Sequence, residues 1–227
     1  MRVLRGRADT FEADRSRTAA MLARTGETGE PAVRVWRPYR QLAFGRRDVR
    51  ADGYETGAEA ARERGFRPVE RTVGGRAVAY TGTTVAFATA VPIDDIRTGM
   101  GERYEDVTTT VQRALWKLGV PAQRGEPPNS FCPGEYSLQC EGKLVGVAQR
   151  VRKGAAVVSG VVNVTDHEEI AAVLEPVYEA LDVPFDPESV GSVERAGGNA
   201  TPRTVVETIE NVLVGDATPT VIQVNHE

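Results

Sequence analysis

Apolar and polar residues alternate along several short stretches of the chain, and this period of two is typical of β-strands. The alternation predicts strands at residues 32–36, 41–44, 66–72, 77–92, 136–140, 143–151, 155–164 and 220–224. Only the turn residues 141–142 and 152–154 separate the three strands between residues 136 and 164. We therefore expect these three strands to form an antiparallel meander.

Other stretches repeat their apolar residues every three or four positions, which predicts amphipathic helices. These stretches lie at residues 8–25, 52–64, 101–119, 165–181 and 201–214. In the third of them, Val107, Val111 and Leu115 share one face and Gly119 ends the helix. Strands and helices in mixed order predict an α+β fold, a mixed β-sheet with covering helices, in a single domain over residues 1–227.

Two adjacent glycines, Gly74 and Gly75, lie between two predicted strands and are flanked by Arg71 and Arg76. Glycine tolerates positive φ and lets a ligand approach the backbone closely. One interpretation is a kink in one sheet where the two arginines hold an anion. The other is a plain hairpin or bulge with solvated arginines. The spacing matches neither of the common glycine-rich phosphate loops.

Composition narrows the class of function. The chain has 227 residues and a formal net charge of −4, which gives a nucleic-acid partner no overall electrostatic support. Two cysteines do not make a disulfide framework, and no metal-ligating cluster is predicted. No apolar run is long enough to span a membrane, and the charged start lacks a signal-peptide core, so we expect a cytoplasmic protein without a membrane partner.

The chain uses arginine for almost every basic position, and its only lysines are Lys117, Lys143 and Lys153. Lys143 starts a predicted strand directly after a tight turn. A solvated hairpin lysine is the usual outcome at such a position. The preceding loop, residues 125–135, contains three prolines, two glycines and Cys132. It cannot be regular secondary structure, and loops on a rigid scaffold often carry functional residues.

Two of these segments together resemble one family. Gly74-Gly75-Arg76-Ala77-Val78 is similar to the glycine motif of the lipoate–protein ligase A and octanoyltransferase family, and residues 142–150 resemble the segment that carries its functional lysine. The resemblance is strongest over residues 30–185. It implies a biotin/lipoate ligase-like catalytic domain. It also implies that an aromatic-rich strand lines an acyl pocket, a role that Trp36 and Phe44 fit as well as they fit core packing.

The resemblance implies protein lipoylation. In the ligase branch, a lipoyl group would pass through an acyl adenylate, with ATP and Mg²⁺ as cofactors, to a lysine of a lipoyl-domain partner. That partner would be a 2-oxoacid dehydrogenase subunit or the glycine cleavage carrier protein. Lys143 would bind the acyl carbonyl and the phosphate. The other site residues implied are Arg71, Gly74, Gly75, Arg76, Ala77, Tyr80, Gly146 and Ala148.

Two alternatives stay open. In the octanoyltransferase branch, Cys132 would accept octanoate from a carrier protein as a thioester, and no cofactor would be needed. The chain also departs from the family pattern, since Glu70 replaces an arginine and Tyr80 replaces a histidine. These replacements put nucleotide binding in doubt. They favour a third hypothesis, a non-catalytic lipoate-binding relative or one subunit of a split ligase that works with an accessory domain protein.

Overall fold

The computed structural model describes residues 1–71, 74–198 and 201–224. Within these ranges the helices are α1 Phe11–Thr28, α2 Tyr54–Glu63, α3 Met100–Lys117, α4 His167–Ala180 and α5 Pro202–Val214, with a 3-10 turn at Pro187–Ser189. The strands are β1 Arg2–Arg5, β2 Ala32–Trp36, β3 Gln41–Phe44, β4 Arg67–Glu70, β5 Val78–Tyr80, β6 Val85–Pro92, β7 Gln123–Arg124, β8 Leu138–Gln139, β9 Lys143–Arg152, β10 Ala155–Val162 and β11 Thr220–Gln223. No helix in these ranges is both long enough and apolar enough to cross a membrane.

The strands form two sheets. The larger has eight strands in the order β11-β1-β2-β6-β10-β9-β8-β7, and the smaller has the order β4-β3-β5. Strands β11, β1 and β2 run parallel to one another, and the pairs from β2 to β7 are antiparallel. The predicted α+β class with a mixed sheet is therefore confirmed, and so is the meander β8-β9-β10.

Helices cover both faces of the large sheet because its strands are apolar on both faces. On β6, Val85 and Phe87 belong to a core that also contains the apolar stripes of α3 and α5. Ala88 and Ala90 of the same strand pack in a separate core with Met21 and Leu22 of α1. A third core joins α2 and α4 to the small sheet.

One predicted strand was wrong. Residues 77–92 are not continuous but form β5 in the small sheet and β6 in the large one. The chain changes sheets at residues 81–84, where the Thr81 N–H donates to Thr84 Oγ1 at 2.9 Å. Thr83 Oγ1 donates to Asp166 Oδ2 at 2.6 Å and ties the crossover to the start of α4.

The segment that holds Gly74 and Gly75 joins β4 to β5. These strands lie on either side of β3 and do not pair with each other. The simple hairpin interpretation was therefore wrong, although both flanking strands do belong to one sheet. Thr72, at the end of a predicted strand, lies outside the described residues.

Candidate active site

A cleft of about 770 Å³ opens between α1, the start of α3, the loop before β8 and the adjoining faces of β9 and β10. Most of the residues singled out from the sequence line it: Arg71, Gly74, Gly75, Tyr80, Cys132, Lys143, Gly146 and Ala148. The glycine motif and the lysine strand therefore face one space, as the resemblance requires. Arg76 and Ala77 are not part of the cleft wall.

Cys132 is the only cysteine on this wall among the described residues. Its backbone has φ +42°, in the left-handed region that side chains other than glycine seldom adopt. The sulfur accepts hydrogen bonds from Arg71 Nη2 and from the Arg76 N–H, each at 3.3 Å. A half-buried thiol therefore faces a guanidinium and a backbone amide, which both present positive charge to it.

Gly75 makes this arrangement possible. Its φ is +91°, and a Cβ at this position would lie 2.7 Å from the Cys132 sulfur and 2.9 Å from Arg71 Nη2. A side chain here would displace either the thiol or the guanidinium. Gly74 is under no such constraint, since a Cβ at this position would meet nothing within 4 Å.

The surroundings of Arg71 keep its guanidinium positively charged. Burial disfavours its charge, but interaction with Cys132 and Tyr80 outweighs burial and leaves its pKa raised. Burial also raises the pKa of Tyr80, although the charge of Arg71 acts in the opposite direction. Arg71 Nη2 donates to the Arg76 carbonyl as well. Its Nε is buried and has no partner among the described residues.

Lys143 differs from the solvated hairpin lysine that its turn suggested, because its side chain is fully buried. Its Nζ donates to Glu126 Oε2 at 2.6 Å, to the Phe131 carbonyl at 2.9 Å and to the Cys132 carbonyl at 2.7 Å. An ammonium has three N–H donors, so these three acceptors use them all. Binding of an acyl carbonyl by Lys143 would first require release of one of these contacts.

Glu126 is a site residue that the sequence reasoning missed. Besides Lys143, it accepts hydrogen bonds from the Gly134 N–H at 3.0 Å and from Ser137 Oγ at 2.8 Å. Glu126 lies at the start of the loop that carries Cys132, and its carboxylate thus ties that start to the end of the loop. The one signal in the sequence was a single acidic residue at the start of a proline-rich loop, which is too common to be specific.

Arg76 contributes its backbone rather than its side chain. Its guanidinium pairs with Asp48 Oδ1 at 3.0 Å, and the fully buried Asp48 accepts from the Gly45 N–H through its other oxygen. The two arginine side chains therefore do not face one point, and only Arg71 lines the cleft. Ala77 is fully buried and lies behind the wall.

Small residues form the floor of the cleft. Gly146 and Ala148 of β9 line it, and a Cβ on Gly146 would meet only Lys143 Cε, at 3.8 Å. The floor at Gly146 is therefore open backbone against which an extended apolar chain can lie. Gly160 of β10 instead makes room for the core, since a Cβ there would come within 2.3 Å of the Phe87 ring and 2.6 Å of the Gly146 carbonyl. Trp36 lines the cleft as the resemblance suggested, but Phe44 is a core residue.

The remaining candidate groups lie elsewhere. His167 Nδ1 is 3.2 Å from Ser192 Oγ and is not on the cleft wall. Cys140 is half-buried beside the large core, and burial raises the pKa of its thiol. His226 lies outside the described residues. The described residues contain no cluster of His, Cys, Asp or Glu that could hold a metal ion.

Solved structures with this architecture define the class of fold. A crystal structure of lipoate-protein ligase A bound with ATP superposes with a TM-score of 0.76 at 21% identity, covering 97% of this chain and 88% of that one. A lipoate protein ligase-like protein of Thermoplasma acidophilum with bound lipoic acid superposes with a TM-score of 0.75 at 19% identity, covering the same shares of the two chains. The fold is thus that of the biotin/lipoate ligase type.

Sequence comparison gives the family. The lipoyl protein ligase A/B catalytic domain matches residues 14–213, and the chain belongs to this family. An octanoyl-[GcvH]:protein N-octanoyltransferase of Kyrpidia tusciae is 33% identical over 150 residues, which is 65% of this chain and 51% of that protein. The chain spans about half the length of the curated relatives it matches.

Proposed function

We propose that this protein transfers an octanoyl or lipoyl group from a carrier protein to a lysine of a lipoyl-domain acceptor through a thioester on Cys132. The observation that carries the proposal is the placement of the Cys132 sulfur. It lies on the cleft wall between Arg71 Nη2 and the Arg76 N–H, next to a floor of small residues. A nucleophilic thiol works best near positive charge in a partly exposed site.

The chemistry divides into two steps. The sulfur attacks the acyl carbonyl, a carbon–sulfur bond forms, the bond to the donor breaks, and the thiol proton leaves with the donor group. The acceptor amine then attacks the thioester, the carbon–sulfur bond breaks, and the sulfur regains a proton that the amine loses. Arg71 stabilises the negative charge on sulfur in both steps. The acyl chain lies along Gly146 and Ala148.

Three observations favour this route over the ligase route. The ammonium of Lys143 already has three acceptors, so it is not free to bind an adenylate. Glu70 and Tyr80 stand where the family's nucleotide-binding residues are expected. The Kyrpidia tusciae relative is named for acyl transfer from one protein to another, which needs no activation step.

The ligase route is the second candidate, and one observation supports it. Arg71 Nε is buried without a partner among the described residues, and a nucleotide phosphate would supply one. Arg71 would then hold the phosphate, with ATP providing the activation of free lipoate. Lys143 would have to exchange Glu126 for the substrate.

One assay separates the routes. The purified protein is mixed with a lipoyl-domain acceptor and with octanoyl-carrier protein, an octanoylated second lipoyl domain, or lipoate with ATP and Mg²⁺, and the acceptor mass is measured. We expect transfer from an acylated protein, an acyl adduct on the enzyme, and loss of both in Cys132→Ser. The matched control is Cys140→Ser, which removes a half-buried thiol outside the cleft.

Each other outcome has a definite meaning. Transfer that requires ATP and survives in Cys132→Ser supports the ligase route and excludes the thioester. Tight lipoate binding without turnover from any donor supports the non-catalytic alternative. A second protein that restores turnover would identify this chain as one part of a split enzyme.

A further inference from the structure

Tyr178 joins the two halves of the candidate site. It lies on α4 and is 1% exposed, and its ring packs beside Phe185 at a centroid distance of 5.0 Å. Its hydroxyl accepts a hydrogen bond from the Cys132 N–H at 2.7 Å and donates one to the Ala77 carbonyl at 3.0 Å. One buried oxygen therefore ties the cysteine loop to the end of the glycine motif.

The backbone of Cys132 is held on both sides by side chains. Tyr178 takes its N–H, and Lys143 donates to its carbonyl at 2.7 Å. These two contacts come from different elements, α4 and β9. They fix a residue whose φ of +42° is unfavourable for any side chain other than glycine.

A hydroxyl is suited to holding both segments because it can donate one hydrogen bond and accept another at the same time. Burial raises the pKa of Tyr178 well above its ordinary value, so the group stays neutral and keeps its proton. Phenylalanine would preserve the ring and its packing against Phe185. It would leave the Ala77 carbonyl and the Cys132 N–H without their partner.

We propose that Tyr178 is a positioning residue for Cys132: its hydroxyl fixes the loop so that the sulfur stays against Arg71 and the Arg76 amide. The contact of the sulfur with both donors depends on the loop conformation that Tyr178 holds. The proposal rests on the proposed function only in treating the sulfur as the nucleophile. Tyr178 itself does not line the cleft.

The test uses Tyr178→Phe in a Cys140→Ser background, where Cys132 is the only cysteine of the chain. We expect iodoacetamide to alkylate Cys132 several-fold more slowly at neutral pH, because the sulfur loses its fixed donors. We also expect kcat for acyl transfer to fall about 10- to 100-fold with KM for the carrier protein unchanged, since a small misplacement of a reacting group has effects of this size.

The matched control is Tyr54→Phe. It removes another tyrosine hydroxyl, which donates to Glu70 Oε1 at 3.3 Å and does not contact Cys132. It should alter neither rate. An alkylation rate in Tyr178→Phe that equals or exceeds that of the parent would overturn the proposal. Should this variant fail to fold, 4-aminophenylalanine at position 178 keeps the ring and a donor for the Ala77 carbonyl but is a much poorer acceptor for the Cys132 N–H, and an unchanged alkylation rate there has the same meaning.

Alkylation needs no acyl substrate, so the two proposals fail separately. If Cys132→Ser keeps full acyl transfer, the thioester route is wrong, while the alkylation rates still decide whether Tyr178 positions the thiol. If Cys132→Ser is inactive and Tyr178→Phe behaves like the parent, the thioester route stands and the positioning role is wrong.

Discussion

Replacement of Gly75 by alanine tests the geometry of the site without any assumption about substrate. The new Cβ would lie 2.7 Å from the Cys132 sulfur and 2.9 Å from Arg71 Nη2, so at least one of the two must move. The residue would also have to adopt a φ of +91°, which glycine tolerates and alanine does not. The two penalties are independent of each other.

The magnitude follows from these two terms. A left-handed conformation costs a residue with a Cβ about 1–2 kcal/mol relative to glycine. Movement of the sulfur breaks its contact with the Arg76 N–H at 3.3 Å, which adds about 0.5–1 kcal/mol. We therefore expect the free energy of unfolding to fall by about 1.5–3 kcal/mol. With an m-value of about 2–3 kcal/mol/M, the midpoint of urea unfolding should fall by about 1 M.

Gly74→Ala is the matched control for stability, since it adds the same Cβ one residue earlier, where nothing lies within 4 Å. Its unfolding midpoint should stay close to that of the parent. An unfolding midpoint for Gly75→Ala that matches that of Gly74→Ala would refute the reasoning, because the close approach of residue 75 to Cys132 would then be absent in solution. Acyl transfer by Gly75→Ala should fall together with its stability.

Two further predictions concern charged groups. Lys143→Met should lower the free energy of unfolding by about 3 kcal/mol, because it leaves the Glu126 carboxylate without its cationic partner, and adding Glu126→Gln should restore part of this loss in a urea titration. Hydrogen bonds from Thr83, Thr81 and Thr165 outweigh burial and lower the pKa of Asp166 from 3.8. The stabilisation from the ionised Asp166 is therefore present above the pKa of the unfolded state and disappears as the pH falls through the lowered pKa, so Asp166→Asn should lose less stability than the parent as the pH is lowered through this range.

Periodicity predicted the helices because their apolar residues lie on one face, and turn residues marked the ends of most strands. Residues 32–36 and 41–44 match β2 and β3. Strand β1 was missed since it lies in a charged start, yet Arg2 is buried, with Nη2 3.2 Å from Thr25 Oγ1 and Nε 3.4 Å from Glu30. Its place between β2 and β11 depends on pairing with residues more than two hundred positions away.

The crossover between the two sheets could not be predicted from periodicity. Residues 81–84 interrupt the apolar pattern, but threonine is common within strands, so the interruption does not show that β5 and β6 belong to different sheets. What divides them is a local network in which threonine side chains replace strand hydrogen bonds and Asp166 anchors the turn from another element. That partner is 83 positions away from Thr83, beyond the reach of any sequence window.

The residues of the candidate site, too, could be predicted only in part from the sequence. The residues that line the cleft were found because two motifs resemble a family, not because of their spacing. Glu126 and Tyr178 were not found, since one looks like an ordinary loop carboxylate and the other like one more apolar contact on the stripe of α4. Their roles depend on single oxygen atoms, whereas hydrophobic patterns describe whole faces.

The burial of Lys143 bears on which of the two cations, Lys143 or Arg71, is available to the substrate. A charge taken out of water must be paired and hydrogen-bonded, and here the loop that carries Cys132 supplies all three acceptors. The lysine is therefore coupled to the thiol through the loop backbone instead of facing the substrate by itself. A cation engaged in this way stabilises one conformation of the cysteine loop. On the proposed thioester route, Arg71 is then the cation of the cleft wall that contacts the sulfur and stabilises its developing negative charge.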